Sequence, residues 1–181
     1  MKLRLATAAD AAAIASIYAP YVTDTFISFE TEPPDGEEMR RRIEAGGDLY
    51  PWFVAEAEGK LLGYASTSAF RTRRAYRFTV ETSVYLAVDA VRRGIGRQLY
   101  TLLLETLEAQ GFAQAVGAIS LPNPASVKLH EALGFTHAGT YRDVGFKLGG
   151  WHSVGLWQRA LAVLDARPRE PKRVSEVLAA A

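Results

Sequence analysis

Ser83-Val-Tyr-Leu-Ala-Val-Asp-Ala-Val-Arg-Arg-Gly-Ile-Gly96 decides the fold. Its first half continues an alternation through Val80, Thr82, Val84, Leu86 and Val88 that reads as one strand from Thr79 to Val88. Arg92 to Gly96 is a basic glycine loop. Behind it, Leu99, Leu102, Leu103 and Leu107 line one face of a helix that Gly111 stops. Gly94 and Gly96 carry no β-carbon, so a ligand can approach the backbone and the amide N–H groups stay open. Those amides begin a helix, where the dipole favours an anion, and Arg92, Arg93 and Arg97 add positive charge. A pyrophosphate suits such a loop. A tight turn with incidental arginines suits the same letters, so the loop by itself is weak evidence. Two other phosphate loops fail: Arg97-Gln98 stands where a Walker loop needs Lys-Ser or Lys-Thr, and Leu99 where a dinucleotide fingerprint needs its third glycine.

Upstream, Leu3 to Leu5 reads as a short strand. Thr7 and Asp10 then make a capping-box start for a helix with Ile14, Ile17, Tyr18 and Tyr21 on one face, limited by Pro20. Lys2 and Arg4 before an alanine run have the outline of a signal peptide, but Asp10 interrupts the run; no apolar stretch approaches a membrane span. A cytoplasmic location is expected. Phe26 to Glu30 is strand-like, and Asp35 caps a second, charged helix toward Ile43 whose outer face reads as solvated. Trp52 to Ala57 and Leu61 to Ala69 form a hairpin around Glu58-Gly59-Lys60.

Downstream, Ala115 to Ser120 is a strand and Leu121-Pro122-Asn123-Pro124 a sharp turn. A helix follows from about Ala125 to Leu133, with Gly134 as its left-handed terminator. Gly139 to Lys147 and Trp151 to Ala160 close with a hairpin around Leu148-Gly149-Gly150. Residues 1–164 make one domain. Residues 165–181, with Arg167-Pro-Arg-Glu-Pro-Lys-Arg173, read as a flexible polar tail ending in a short helix from Val174 to Ala181. Strands in hairpins mixed with single helices imply an α/β (α+β) sheet with antiparallel pairs. A net charge of +1 gives no reason to expect bulk attraction to nucleic acid or membrane. Zero cysteines exclude a disulfide framework and a thiol nucleophile, and three separated histidines give no metal site. Any thiol chemistry must come from a cofactor.

With these pieces in order, the chain resembles the GNAT acetyltransferase superfamily, and within it the phosphinothricin acetyltransferase branch. The similarity is carried by Ile17-Tyr-Ala-Pro-Tyr-Val22, Tyr76-Arg-Phe-Thr-Val-Glu81 with Ser83-Val-Tyr85, and Leu121-Pro-Asn-Pro-Ala-Ser126. Leu129-His-Glu-Ala-Leu-Gly-Phe135, Val144-Gly-Phe-Lys147, Trp151 and Trp157 extend it to about Leu161. In one place the chain departs from the family pattern Gln/Arg-x-x-Gly-x-Gly/Ala: Val91 holds its first position, which leaves a side-chain contact to the pyrophosphate to Arg92 or Arg93.

The resemblance implies a mixed, splayed, mostly antiparallel sheet with flanking helices, binding acetyl-CoA. The strand at Val84 to Val88 parts from the one at Ala115 to Ile119, and the pantetheine arm enters between them. Val84, Leu86, Val88 and the loop Arg92, Arg93, Gly94, Ile95, Gly96 and Arg97 are then the coenzyme contacts. An amide near Leu86 makes an oxyanion hole, where one donor contributes on the order of 3 kcal/mol. Asn123 and Ser126 are further contacts to the arm, although Asn123 equally suits a turn or helix cap.

Acyl transfer to an amine needs a base. Glu81, in an apolar strand segment, is the candidate the resemblance marks; an ordinary glutamate pKa of about 4.3 makes burial or a water relay necessary. An outward, solvated glutamate of an alternating strand is the other reading. His130 stands where the wider superfamily has a tyrosine that protonates the leaving thiolate, and imidazole serves as acid or base; a helix histidine with a purely structural hydrogen bond is the other reading. His137 and His152 lack such context. The connector Phe70-Arg-Thr-Arg-Arg-Ala-Tyr-Arg77 is either a solvated loop or an anion clamp, and the resemblance points to Arg73 and Tyr76. Phe29, Glu30, Lys147 and Trp151 complete the expected acceptor pocket, with Lys147 and Trp151 in reach of a neighbouring subunit. The implied activity is N-acetylation of a small anionic amino-acid analogue such as phosphinothricin, methionine sulfoximine or methionine sulfone, by a homodimer. The alternatives are the same fold with another amine acceptor, or a non-catalytic acyl-CoA sensor.

Overall fold

In the computed structural model, which describes residues 1–179, the first half runs β1 (Lys2–Leu5), α1 (Ala11–Thr23), α2 (Gly36–Gly46), β2 (Trp52–Ala57), β3 (Lys60–Ala69) and β4 (Thr79–Leu86). The second runs α3 (Ile95–Gln110), β5 (Gln114–Leu121), α4 (Pro124–Ala132), β6 (Thr136–Lys147), β7 (Gly150–Ala160) and α5 (Val174–Leu178). The strands form a single sheet in the order β1-β2-β3-β4-β5-β7-β6. Its neighbours pair antiparallel except β4 and β5, which pair parallel. That parallel ladder holds only Thr79 to Gln114, Val80 to Ala115 and Glu81 to Val116 before the strands part. The expected mixed, splayed, mostly antiparallel architecture is what the chain adopts.

Two apolar layers sandwich the sheet. On one face, Leu99, Tyr100, Leu103, Leu104 and Leu107 of α3 pack on Ala65, Val80, Ala115 and Ile119. On the other, Ile14, Ile17, Tyr18 and Val22 of α1 and Met39 of α2 pack on Val54 and Tyr64. Alternation along β4 feeds both: Val80 joins the first layer, and Tyr85 packs on the second. The local stops are those the letters foretell. The Asp35 side chain accepts from the Glu38 N–H at 2.8 Å, and left-handed glycines at Gly111 and Gly134 end α3 and α4.

Four expectations are corrected. Pro20 does not limit α1, which runs on to Thr23; the proline removes one donor, while buried Ile17, Tyr18 and Val22 hold the helix on the sheet. Residues 26–30 form no strand. There Thr25 and Ser28 hydroxyls accept from the Ile27 and Glu30 N–H groups, replacing a ladder with local bonds. The strand read to Val88 ends at Leu86, and Val88–Ala90 is a 3-10 turn. The tail is not free over its last part. Lys172 exchanges two bonds with Gln110, Ser175 binds Asp48, Arg77 pairs with Glu170, and Val174 is buried. Its short helix spans Val174–Leu178; the expected continuation to Ala181 includes residues 180 and 181, which lie outside the described residues.

The capping box read at Thr7 gains a tertiary role. Asp10 accepts the Thr7 N–H at 2.7 Å and two bonds of 2.8 Å from the Arg4 guanidinium, which holds its carboxyl down at about 2. A carboxyl held below its ordinary value of 3.8 stabilises the fold above that value, and the contribution disappears as pH falls through about 2. Asp10→Asn is expected to lower stability at pH 7 by about 2 kcal/mol. Urea titrations at pH 7 and pH 2.5 check this: the gap between parent and variant narrows in acid.

Candidate functional site

The Ala87 N–H bonds the Leu62 carbonyl at 2.9 Å, which sets the phase of the β3–β4 ladder. Main-chain groups along an antiparallel strand face alternate sides, so those of Glu81, Ser83 and Tyr85 face β3 and those of Thr82, Val84 and Leu86 face β5. Beyond Glu81 β5 has diverged, and these groups open onto a groove instead. The Leu86 carbonyl takes a hydroxyl bond from Tyr21 at 2.7 Å.

The groove has a volume of about 510 Å³ and is lined by Thr82 to Leu86, Val91, Arg92, Gly94, Gly96 and Arg97 on one wall. Ala118 to Ser120, Asn123, Ala125, Ser126, Leu129 and His130 form the other. Gly94, at φ 76°, makes the left-handed turn that starts α3. Ile95 and Arg93 do not line the groove. Ile95 is buried in the α3 core, and Arg93 lies within the field of Asp89. Val88 also falls outside it, because the 3-10 turn carries it to a separate cavity of about 600 Å³ beyond α1. That cavity's ionised residues Arg4, Asp10, Glu56 and Lys60 are already paired.

The Asn123 side-chain oxygen, Oδ1, caps α4 by accepting the Ser126 N–H at 3.1 Å, so the cap reading holds while the side-chain nitrogen stays available at the groove wall. Ser120 Oγ is buried without a hydrogen-bond partner among the described residues, on the same wall. An orphaned hydroxyl, a strand edge with turned-out amides and a helix N-terminus flanked by Arg92 and Arg97 fit a long ligand with amide and phosphate groups.

Across β4 lies a second cavity of about 470 Å³, lined by Tyr18, Glu30, Arg42, Trp52, Tyr64, Ser66 and Glu81. Ser83 and Tyr85 line both cavities, so the two meet there. No donor among the described residues bonds the Glu81 carboxylate. Burial raises it above the ordinary glutamate range, while the charge of Arg71 works against the rise. A carboxylate so placed is a stronger base than an exposed one.

His130 is 4% exposed and lies against Gly117, where an added β-carbon would come within 2.4 Å of its Nε2. Its Nδ1 is 2.8 Å from the Ser126 carbonyl and its Nε2 2.9 Å from the Tyr100 hydroxyl. A carbonyl only accepts, so Nδ1 carries the proton and Nε2 accepts from Tyr100. Burial pushes the ring's pKa below the ordinary histidine value, against the bond to Ser126. The ring is neutral at pH 7.

The expected acceptor residues are placed unevenly. Glu30 lines the Glu81 cavity but is already held by Arg42 at 2.8 Å and by the Tyr18 hydroxyl at 3.0 Å. Lys147 is buried and donates to the Ser28 carbonyl at 2.7 Å, so it fastens the loop after α1. Phe29 packs its ring on Gly145. Arg73 and Tyr76 stand at an exposed 3-10 turn and Trp151 on the exposed hairpin; none of the three lines the cavity. Sequence reasoning missed Arg71, Arg42, Tyr21 and Tyr100. The last had a signal: a tyrosine on the leucine face of α3 must find a partner once buried.

A family model described as an acetyltransferase (GNAT) domain matches residues 3–154. A phosphinothricin N-acetyltransferase of Streptomyces viridochromogenes is 46% identical over 177 residues, covering 98% of this chain and 96% of its own. An L-methionine sulfoximine/L-methionine sulfone acetyltransferase of Salmonella typhimurium is 35% identical, covering 89% and 95%. Among solved structures, a GNAT superfamily phosphinothricin acetyltransferase from Sinorhizobium meliloti in complex with AcCoA superposes with a TM-score of 0.89 at 41% identity, covering 93% of each chain.

Proposed function

The chain belongs to the GNAT acetyltransferase family, and from that premise we propose which amine it acetylates and how its residues divide the work. It is an acetyl-CoA-dependent N-acetyltransferase for acceptors of the phosphinothricin and methionine sulfoximine or sulfone type. The observation that carries the reading is the pairing of the two cavities: a splayed groove onto which the main-chain groups of Val84 and Leu86 turn, and half-buried Glu81 across the same strand.

Bound acetyl-CoA supplies the thioester whose acetyl group passes to the amine. On this chain, Gly94, Gly96, Arg92 and Arg97 hold the diphosphate, and Val84, Asn123, Ser126 and Ser120 receive the amide-bearing arm. The Leu86 N–H donates to the acetyl oxygen. An amino-acid amine arrives as ammonium and sheds two protons, one to become nucleophilic and one as its new bond forms. Glu81 takes the first, which its raised pKa favours. His130 handles the second and returns it to the leaving sulfur.

Thiol release measured with a panel of amines tests the reading. Phosphinothricin, methionine sulfoximine and methionine sulfone are expected to release thiol, and polyamines and peptide N-termini to give background rates. Background rates across the first group would refute it. Arg71, whose charge reaches Glu81, is a counter-charge for the anion of the acceptor, and Arg73 and Tyr76, at the exposed turn outside the cavity, are the further contacts that the resemblance implies. Arg73→Ala is expected to raise KM for the anionic acceptor about tenfold or more with little change in kcat, as loss of one charged contact does. An unchanged KM retires the clamp.

The chain acts as a homodimer in the cytoplasm, where its coenzyme is made and used. Support for the dimer comes from the β6–β7 hairpin, an edge of the sheet where Tyr141, Val144, Phe146, Leu148 and Trp151 stand exposed, the last two at 62% and 65%. No helix among the described residues is long and apolar enough to cross a membrane.

A further inference from the structure

We propose that Tyr100 and Thr82 link the bonded Nε2 of His130, whose ring edges the coenzyme groove, to a hydroxyl on the groove wall, so that the imidazole exchanges its proton through two hydroxyls and not through a free ring nitrogen. The inference rests on the acetyl-transfer reading and adds two residues that no motif marked. Both ring nitrogens are committed. Nδ1 donates to the Ser126 carbonyl at 2.8 Å, and Nε2 accepts from the Tyr100 hydroxyl at 2.9 Å. Tyr100 is wholly buried, and its oxygen lies 2.7 Å from Thr82 Oγ1. Thr82 is the next residue after Glu81, on the stretch of β4 that has parted from β5, and it lines the groove. The three groups thus form a file from groove to ring.

The file has two hydrogen orders. With the ring neutral, the Thr82 hydroxyl donates to the Tyr100 oxygen and the Tyr100 hydroxyl donates to Nε2. A proton reaching Thr82 Oγ1 from the amine displaces the Thr82 proton to Tyr100 and the Tyr100 proton to Nε2. The product is an imidazolium whose Nε2–H donates to Tyr100, whose hydroxyl donates to Thr82, whose own proton turns to the Val116 carbonyl at 3.4 Å. Running the file backward delivers one proton to the leaving sulfur and restores the first order. One proton enters and one leaves. Every donor has an acceptor in both orders, which a buried ring needs if it is to charge at all.

The neighbours leave the file to itself. On β5 the ring meets Gly117, and on the β6 side Phe135. Tyr100 of α3 is the titratable group that touches it. Beyond it, Arg159 of β7 is paired with Glu108, and Glu131 of α4 faces the Trp157 indole. Thr82 also meets no competing side-chain acceptor among the described residues.

Tyr100→Phe and Thr82→Val, both near-isosteric, test this in the full chain. Each is expected to lower kcat at least about tenfold with the acetyl-CoA KM within about twofold of the parent. Ring-15N spectra of the ligand-free chain give a second readout. Tyr100→Phe removes the acceptor for a charged Nε2, so the His130 titration should move to lower pH. Thr82→Val keeps the fold testable should the Phe variant unfold. Unaltered kcat in both variants overturns the relay, even where the ring spectrum changes, because the bond would then be structural only. An unchanged ring titration in Tyr100→Phe overturns it as well. A parent that acetylates no amine would instead sink the proposed function, while the ring spectra would still read the file.

Discussion

Glu81→Gln is expected to lower kcat by a hundredfold or more, to leave acetyl-CoA binding intact and to raise thermal stability near neutral pH. The kinetic loss follows from removing the base while keeping its shape, and general bases contribute about 10²- to 10⁴-fold. Coenzyme affinity persists because Glu81 lies across β4 from the groove and does not line it. The stability gain follows from burial. A carboxyl whose pKa is raised in the folded chain stabilises the fold below the ordinary glutamate range, and that contribution is lost as pH rises through the raised value. At pH 7.5 the ionised, half-buried carboxylate is therefore a liability that Gln removes; at pH 4 parent and variant should converge. Calorimetric unfolding at the two pH values, with single-turnover rates, reads all three effects. A variant with the parent's kcat and pH profile would strip Glu81 of its role.

His130→Asn is the second large effect. Its amide can keep a bond to the Ser126 carbonyl, but it has no nitrogen that titrates near neutrality. We expect kcat to fall about a hundredfold with the coenzyme KM nearly unchanged, in the range for loss of one acid–base group. The stability test runs in the opposite direction from that for Glu81. The unfolded chain protonates its histidine before the folded one, whose ring burial holds below the ordinary value. Acid thus favours unfolding: the parent gains stability as pH rises to the ordinary histidine value near 6.5 and keeps it above. The Asn variant lacks that slope, as denaturant midpoints between pH 5 and pH 8 would show.

Much of this was legible in the letters because it is local. Gly94 to Gly96 open a helix, Asp35 caps one, and Gly111 and Gly134 end two, each through conformations that a few neighbouring residues dictate. The alternation of Val80, Thr82 and Val84 fixed which face each side chain meets, and so put Glu81 on the side opposite Thr82. What the letters hid is held by distant partners. Polar letters at residues 165–173 look unstructured, yet Lys172 docks on Gln110 and Ser175 on Asp48 because those partners sit where the chain passes. The bond that commits Nε2 of His130 is hidden because Tyr100 lies thirty residues away. The motif points to Arg73, while the guanidinium whose charge the Glu81 carboxyl feels is that of Arg71.

The three-pair parallel ladder also makes the protein two half-sheets bound like a book along a short spine. Among the described residues, Thr79 to Glu81 with their partners, and the Phe78 carbonyl with the Ala113 and Gln114 N–H groups, join the pages edge to edge. A coenzyme seated between the pages stitches them together, and at a hundred times its dissociation constant it adds about 2.7 kcal/mol to the folded state. The unfolding midpoint of this enzyme is therefore expected to rise with the concentration of its acetyl donor.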